Sequence, residues 1–381
     1  MAMALGGAER TTRNLLRYLD RSRISHITLV APESLRNYFT DGYDCFIDAF
    51  RYDLQCGFIN SRILRSDCIN FARIVRETAP DIVLGMMHYS SALAVLGAHY
   101  SRSRVKTVAS FRGPFFEYMR RYERGLRRLM FLRAVVTGTA LLADRVIVPS
   151  HGTKRELQRR FLGRPNKTIV VPNGIDWKAA SQLAQTDVMA LSHLKQEGKV
   201  LLCTVARLSR EKNLHLLIAA FKRVHEVRSV ELLIVGDGPE RPALEQIVRT
   251  EGLENAVTFT GHQENVYPYL NHADLFIHTC EFEGFGYAIL EAMACATPVI
   301  ATDCPYGPRE IIGNNEYGVL VSPGDAGALA DAIISLLDDK EERRMYATHG
   351  MERAKALSIE NMVQEYEHIL IDLAAKNVDL G

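Results

Sequence analysis

A chain of 381 residues that is 47% hydrophobic and 24% charged buries a large core, which excludes a wholly disordered polypeptide and favours two domains over one. Its seven cysteines (Cys45, Cys56, Cys68, Cys203, Cys280, Cys295 and Cys304) are odd in number and never spaced C-x-x-C, which argues against a disulfide framework or a zinc ribbon and fits a reducing cytosol. The net charge of +1 hides a division: residues 1–175 carry 28 Lys+Arg against 14 Asp+Glu, and residues 176–381 carry 18 against 31, so two bodies are expected, either with different partners, the basic one meeting an anion, or simply attracting each other.

Short β-branched runs alternate with helical patterns along the chain, the order of a parallel sheet wrapped by helices. Gly6 and Gly7 open a helix over 8–19, yet only residues 1–5 precede them, so the first strand is expected to be truncated to a stub. Strands follow at 25–31, 81–85, 105–110, 145–149 and 168–171, with helices over 68–77, 90–99, 115–142 (broken once) and 153–161. Pro172-Asn173-Gly174-Ile175-Asp176 is turn chemistry, and the polar stretch after it, to about Gly198, marks a hinge. A second series then runs through strands at 200–205, 230–235, 257–260, 275–278 and 299–301 and helices at 213–224, 241–251, 266–271, 286–294, 307–312 and 326–337. The expected fold is α/β, two tandem doubly wound Rossmann-like domains at 1–177 and 178–357. An amphipathic helix over 359–374, in the tail 358–381, is expected to cross back to the first domain.

No stretch reaches the roughly 18 uncharged apolar residues of a membrane span, and the N-terminus lacks the pattern of a signal peptide. A cytoplasmic protein is expected. The segment 115–133 carries Arg120, Arg121, Arg124, Arg127, Arg128 and Arg133 among Phe116, Tyr118, Leu126 and Met130, a basic amphipathic pattern suited to an anionic membrane surface or to a solvated face. No nucleic-acid-binding module is present, so nucleic acid is not an expected partner.

Glu283-Gly284-Phe285-Gly286-Tyr287-Ala288-Ile289-Leu290-Glu291 follows the strand at 275–278 and runs into a helix. Eight residues on a helix axis separate its two carboxylates by ~12 Å, about the span from sugar to ribose in an extended nucleotide sugar. Gly284 and Gly286 let the backbone approach a ligand, and the helix start favours a diphosphate. The plainer reading makes Glu283 a cap and Glu291 a solvated side chain. Gly236-x-Gly238 lacks the third glycine and distant acid of a dinucleotide site and reads as a tight turn. The chain has no Asp-x-Asp and no His/Cys/Asp cluster at metal-ligand spacing, so neither metal nor cofactor is expected. His88, His151, His262 and His278 sit near strand ends, where a histidine can face a ligand cleft, and read first as structural or surface histidines.

The segment 283–291 resembles the E-x7-E motif of glycosyltransferase family 4. Further similarity lies in Gly6-Gly7-Ala8-Glu9-Arg10, in Val171-Pro172-Asn173-Gly174-Ile175-Asp176, in Ala206-Arg207-Leu208-Ser209-Arg210-Glu211-Lys212-Asn213 and in Asp303-Cys304-Pro305-Tyr306-Gly307-Pro308-Arg309-Glu310. The resemblance implies the two-domain GT-B architecture with an interdomain cleft, an acceptor-binding first domain, and a second domain binding a nucleotide sugar, uridine-linked by preference. It implies retaining transfer without a metal, to a glycan or lipid-linked acceptor in surface polysaccharide or lipopolysaccharide synthesis. Glu291 would bind the ribose and Glu283 a sugar hydroxyl; Arg207 and Lys212 would hold the diphosphate, with Gly6, Gly7, Gly284, Phe285 and Gly286 lining the donor. Many members carry a histidine where this chain has Arg112, which cannot act as a base near neutral pH and is expected to steady a phosphate or the acceptor. A nucleotide-sugar epimerase of the same architecture and a non-catalytic donor-binding partner are the alternatives.

Overall fold

The computed structural model describes residues 6–49, 61–188 and 200–378. They divide into two α/β units, Leu5–Asn173 with Ile359–Gly381 in one and Gly174–Ser358 in the other. The stub strand expected at 1–5 lies outside the described residues.

In the first unit, β1 (Thr28–Ala31) and β2 (Cys45–Asp48) pair in parallel. The strands β3 (Ile82–Met86), β4 (Lys106–Ser110), β5 (Arg145–Val148) and β6 (Thr168–Val170) form a parallel sheet in that order. Helices α1 (Gly7–Tyr18), α2 (Ser61–Thr78), α3 (His88–Ser101), α4 (Phe115–Tyr122), α5 (Leu126–Leu142) and α6 (His151–Phe161) surround these strands. The break expected within 115–142 falls just before α5, where Gly125 at φ +100° turns the chain.

The second unit contains α7 (Trp177–Leu183), β7 (Val200–Val205), α8 (Leu214–His225), β8 (Val230–Val235), α9 (Arg241–Thr250), β9 (Val257–Gly261), α10 (Tyr267–His272) and β10 (Leu275–His278). It continues through α11 (Tyr287–Ala294), β11 (Val299–Thr302), α12 (Pro308–Ile312), β12 (Val319–Val321), α13 (Ala326–Asp338) and α14 (Lys340–Ala356). Its six strands are parallel and ordered β12-β11-β10-β7-β8-β9. Succession therefore reverses at β7, and the carboxyl ends of β7 and β10 flank the topological switch point, where open α/β sheets hold ligands.

Alternation along each strand feeds two cores, one per sheet face. Leu202, Leu275 and Ile277 pack with Leu217, Phe221, Leu329 and Ile333; Leu201, Cys203 and Phe276 face the other way, against Ile289, Leu290 and Met293. In the first unit Ala109, Val146 and Val148 meet Leu93, Leu132 and Phe161, while Val108 and Ile147 meet Met362, Tyr366 and Ile369 of α15 (Ile359–Val378).

Four elements depart from the expectation. Strands β2 and β12 have four and three residues, too few for a period of two to register. In α14 the buried positions are Tyr346, Gly350 and Ala354, a single thin stripe on a charged helix whose 3.6-residue pattern is faint. Within the supposed hinge, residues 177–183 are helical, because the Asp176 carboxylate caps α7 by accepting from the Ala179 N–H at 2.9 Å; 189–199 lie outside the described residues.

Candidate active site in the Gly174–Ser358 unit

Three loops leave the carboxyl ends of β7, β10 and β11. The first, 206–213, lies along the end of β8: the Ala206 N–H donates to Val235 O at 3.0 Å, and the Leu208 N–H to Asp237 O at 2.9 Å. Gly236 and Gly238 admit it. A Cβ at 236 would stand 1.9 Å from Ala206 O, one at 238 would stand 2.4 Å from Leu208 O, and Gly236 adopts φ +134°. The tight-turn reading thus missed their steric purpose, which is to let the loop bearing Arg207 lie flat. Gly236→Ala is expected to cost about 2 kcal/mol from overpacking and backbone strain; urea unfolding checks this, and a wild-type midpoint contradicts it.

The second loop is knitted to the first. The Thr279 hydroxyl donates to Lys212 O at 2.9 Å, the Glu281 N–H to Glu211 O at 2.8 Å, and the Lys212 ammonium to the Glu283 carboxylate at 2.5 Å. Glu283 is also anchored to the third loop, its N–H donating to Pro305 O at 2.7 Å and its carbonyl accepting from the Tyr306 N–H at 2.9 Å. It therefore lies in an extended bridge outside α11, so the ~12 Å helical spacing reckoned from the sequence does not apply to the whole of 283–291. Helix α11 starts only at Tyr287, capped by Gly286 at φ +114° with no side-chain cap.

Glu283 accepts from the Gly284 N–H at 3.1 Å, and its carboxylate lies 3.6 Å from Cys280 Sγ and 3.9 Å from His278 Nε2. Burial pushes its carboxyl up, but the Lys212 charge and the His278 ring outweigh that and hold it well below the ordinary range. Burial pulls Lys212 down, while Cys280 and Glu283 raise it further, so the ammonium is retained. Burial lowers His278, which is 6% exposed, and its Nδ1 has no hydrogen-bond partner among the described residues. The depressed Glu283 value makes its contribution to stability complete above the ordinary glutamate value of 4.5 and lost as pH falls below it. Wild type is expected to exceed Glu283→Gln by about 2 kcal/mol at neutral pH. The gap should narrow below pH 4.5 in acid titrations of unfolding; a gap widening there contradicts the ion pair.

The donor atoms of His278, Cys280 and Glu283 lie within 4.8 Å of one another. This corrects the expectation that no such cluster exists: H-x-C-x-x-E was not recognised as a ligand spacing. A divalent cation there would have to displace the Lys212 ammonium from Glu283 against its charge. Burial also pushes the Cys280 thiol well up, away from the thiolate a metal prefers.

Arg207 and Lys212 do not stand as a free pair of cations. Arg207, 43% exposed, donates to the Glu211 carboxylate at 2.8 Å, and the Ser209 hydroxyl donates to the same oxygen at 2.6 Å. Burial pushes Glu211 up, but these two bonds bring it below its ordinary value. Glu211 and Cys280 were missed as site residues and His278 was read as structural or surface, since no hydrophobic periodicity marks the contacts that bring them to Arg207 and Glu283. Glu291 is buried at 5% exposure within α11. The Phe285 ring is buried in the core beside Ile289 and Ile311, which leaves its backbone alone for a ligand.

Gly6, Gly7 and Arg112 belong to the other unit. Gly6 precedes α1 and its N–H donates to the Glu9 carboxylate at 3.0 Å, so the protein's own anion occupies that helix start. Arg112 donates to Tyr366, Thr11 and Ser110.

Residues 187–353 match the family model for Glycosyl transferases group 1, and residues 5–178 match that for Glycosyltransferase Family 4. The chain is similar to N-acetylgalactosamine-N,N'-diacetylbacillosaminyl-diphospho-undecaprenol 4-alpha-N-acetylgalactosaminyltransferase of Campylobacter jejuni, at 30% identity over 56% of either chain. Lipopolysaccharide core biosynthesis glycosyltransferase LpsD of Rhizobium meliloti is 27% identical over 94% of this chain and 93% of its own. The matches to the first three curated relatives span 63%, 56% and 60% of their lengths. Anabaena HepE, solved in complex with UDP-glucose, is similar at a TM-score of 0.78 and 21% identity, over 97% of each chain. The fold is thus that of the two-Rossmann-domain GT-B glycosyltransferases. The chain belongs to glycosyltransferase family 4.

Proposed function

We propose that the chain is a retaining glycosyltransferase that moves a hexose from a nucleoside diphosphate, uridine diphosphate first among them, to a glycan or lipid-linked acceptor in surface polysaccharide or lipopolysaccharide synthesis. The carrying observation is the Lys212–Glu283 ion pair, which joins two loops at the switch point of a family-4 chain. The relatives' names support the product class, and the UDP-glucose complex of HepE supports the donor.

In this reading the donor diphosphate draws Lys212 and Arg207 from their carboxylates and is neutralised by them as charge grows on the leaving group. Glu283, released, accepts from a hydroxyl of the transferred sugar, Glu291 accepts from the ribose, and the backbone at Gly284, Phe285 and Gly286 lines the donor. The bond from the anomeric carbon to phosphate breaks as the acceptor oxygen bonds from the same face. The acceptor's proton passes to the departing phosphate oxygen, which spares the site a carboxylate nucleophile. No metal enters the scheme. Thermal-stabilisation screening of nucleotide sugars, then mass spectrometry of products formed with lipid extracts and EDTA, tests the reading. Stabilisation by no nucleotide sugar, or activity abolished by EDTA, would overturn it.

We propose further that the enzyme works at the cytoplasmic face of an anionic membrane. No helix among the described residues is long and apolar enough to cross one, but Leu126 and Met130 at the start of α5 are 73% and 63% exposed. Arg120 and Arg121 pair with Glu117, and Arg128 with Glu123. Arg124, Arg127 and Arg133 have no carboxylate partner among the described residues and supply the charge complementarity. Reversing those three is expected to abolish co-sedimentation with phosphatidylglycerol vesicles; unchanged binding refutes the proposal.

A further inference from the structure

The Arg112 guanidinium stands just past the carboxyl end of β4, the side of an α/β sheet that binds ligands. Three hydroxyls from three elements hold it. Nη1 donates to Tyr366 Oη at 2.9 Å and to Ser110 Oγ at 3.5 Å, and Nη2 donates to Thr11 Oγ1 at 3.1 Å. These three residues are fully buried, whereas Arg112 itself is half-buried. It has no carboxylate partner among the described residues, and its Nε–H makes no hydrogen bond there.

The hydroxyls do not need this cation. Ser110 Oγ and Tyr366 Oη already lie 3.2 Å apart, and the Thr11 hydroxyl donates to Gly7 O at 2.9 Å. A guanidinium partly withdrawn from water among neutral dipoles alone is costly, so a purely structural clamp would be poorly served by a charge. The edge formed by Nε and Nη2 is the fork that matches two oxygens of a carboxylate or a phosphate. The next residue is Gly113, where a Cβ would meet nothing within 4 Å, so the backbone that follows Arg112 borders open space.

We infer that Arg112 binds an anionic group, phosphate or carboxylate, carried by the acceptor. The word acceptor rests on the proposed transferase activity, in which Arg207 and Lys212 of the other unit already serve the donor diphosphate. The acceptor class is therefore an acidic one: a phosphorylated or uronic sugar, or a lipid-linked sugar phosphate.

The test titrates the full-length protein, saturated with UDP to fill the donor site, with glucose 6-phosphate, glucuronate and, as the neutral control, glucose. Wild type is expected to bind the two anions at millimolar concentrations and more tightly than glucose. Arg112→Gln should weaken both anions by about tenfold and leave UDP affinity unchanged. Tyr366→Phe, which keeps the charge and loosens its mount, should weaken them less. Should Arg112→Gln fail to fold, Arg112→Lys keeps the charge, loses the fork and should shift affinity in the same direction. Equal anion affinity in wild type and variant, absence of anion binding by wild type, or a loss confined to UDP each overturns the inference. Failure of wild type to bind UDP would instead sink the donor assignment, and the anion titration, repeated in Lys212→Ala, would still read Arg112.

Discussion

Lys212→Ala is expected to weaken UDP binding about a hundredfold, close to 2.7 kcal/mol. The ammonium is the best-sheltered cation of the switch point, at 22% exposure, and at an effective dielectric of about 20 a unit charge 4 Å away is worth about 4 kcal/mol, part of which goes to releasing Glu283. Its removal does more than delete an attraction. Glu283 is left without its counter-ion in the same pocket, where its ionised form repels a diphosphate. Arg207→Ala should cost less, about tenfold, because its guanidinium is more exposed and shared with Glu211. Glu291→Ala, remote from the diphosphate cations in this scheme, should also cost about tenfold through the ribose. Isothermal calorimetry with UDP orders these variants, and equal affinity in wild type, Lys212→Ala and Glu291→Ala would refute the assignment.

Glu283→Gln should separate binding from turnover. Removing its charge frees Lys212 from a 2.5 Å ion pair, so UDP should bind as well as before or a few-fold more tightly. Turnover should fall by about 10²- to 10³-fold, since in the proposed scheme the carboxylate accepts from a hydroxyl of the transferred sugar as positive charge develops at the anomeric carbon. Glu283→Ala should behave alike in turnover. A residue that merely joined two loops would give the opposite signature: lost UDP binding and a turnover per bound donor close to wild type. Measuring kcat alongside the UDP dissociation constant distinguishes the two.

The parts of the fold legible in the sequence were those that repeat. The runs Val200–Val205, Val230–Val235 and Leu275–His278 are strands over the residues read from composition, because a strand buried on both faces is a continuous apolar run. What escaped was non-local. Lys212 and Glu283 lie 71 residues apart, and no periodicity tells that one ammonium reaches that carboxylate. Motif likeness named both residues without revealing that each cation of the loop 206–213 is held by an acid in the ligand-free chain. Gly236 and Gly238 show the limit from another side, since the space they leave is filled by a loop contributed from elsewhere in the sequence. Arg112 stood out only as a departure, and its scaffold includes Tyr366, 254 residues away.

The placement of α15 bears on how the protein is made. Its residues Met362, Tyr366 and Ile369 cover Val108 and Ile147 of the first unit, although the chain completes the Gly174–Ser358 unit before reaching them. On the ribosome, the segment translated first therefore waits with one side of its sheet uncovered until residues 359–378 emerge. The nascent chain should finish its later-encoded half before its earlier one, and it depends meanwhile on whatever shields that exposed surface from aggregation.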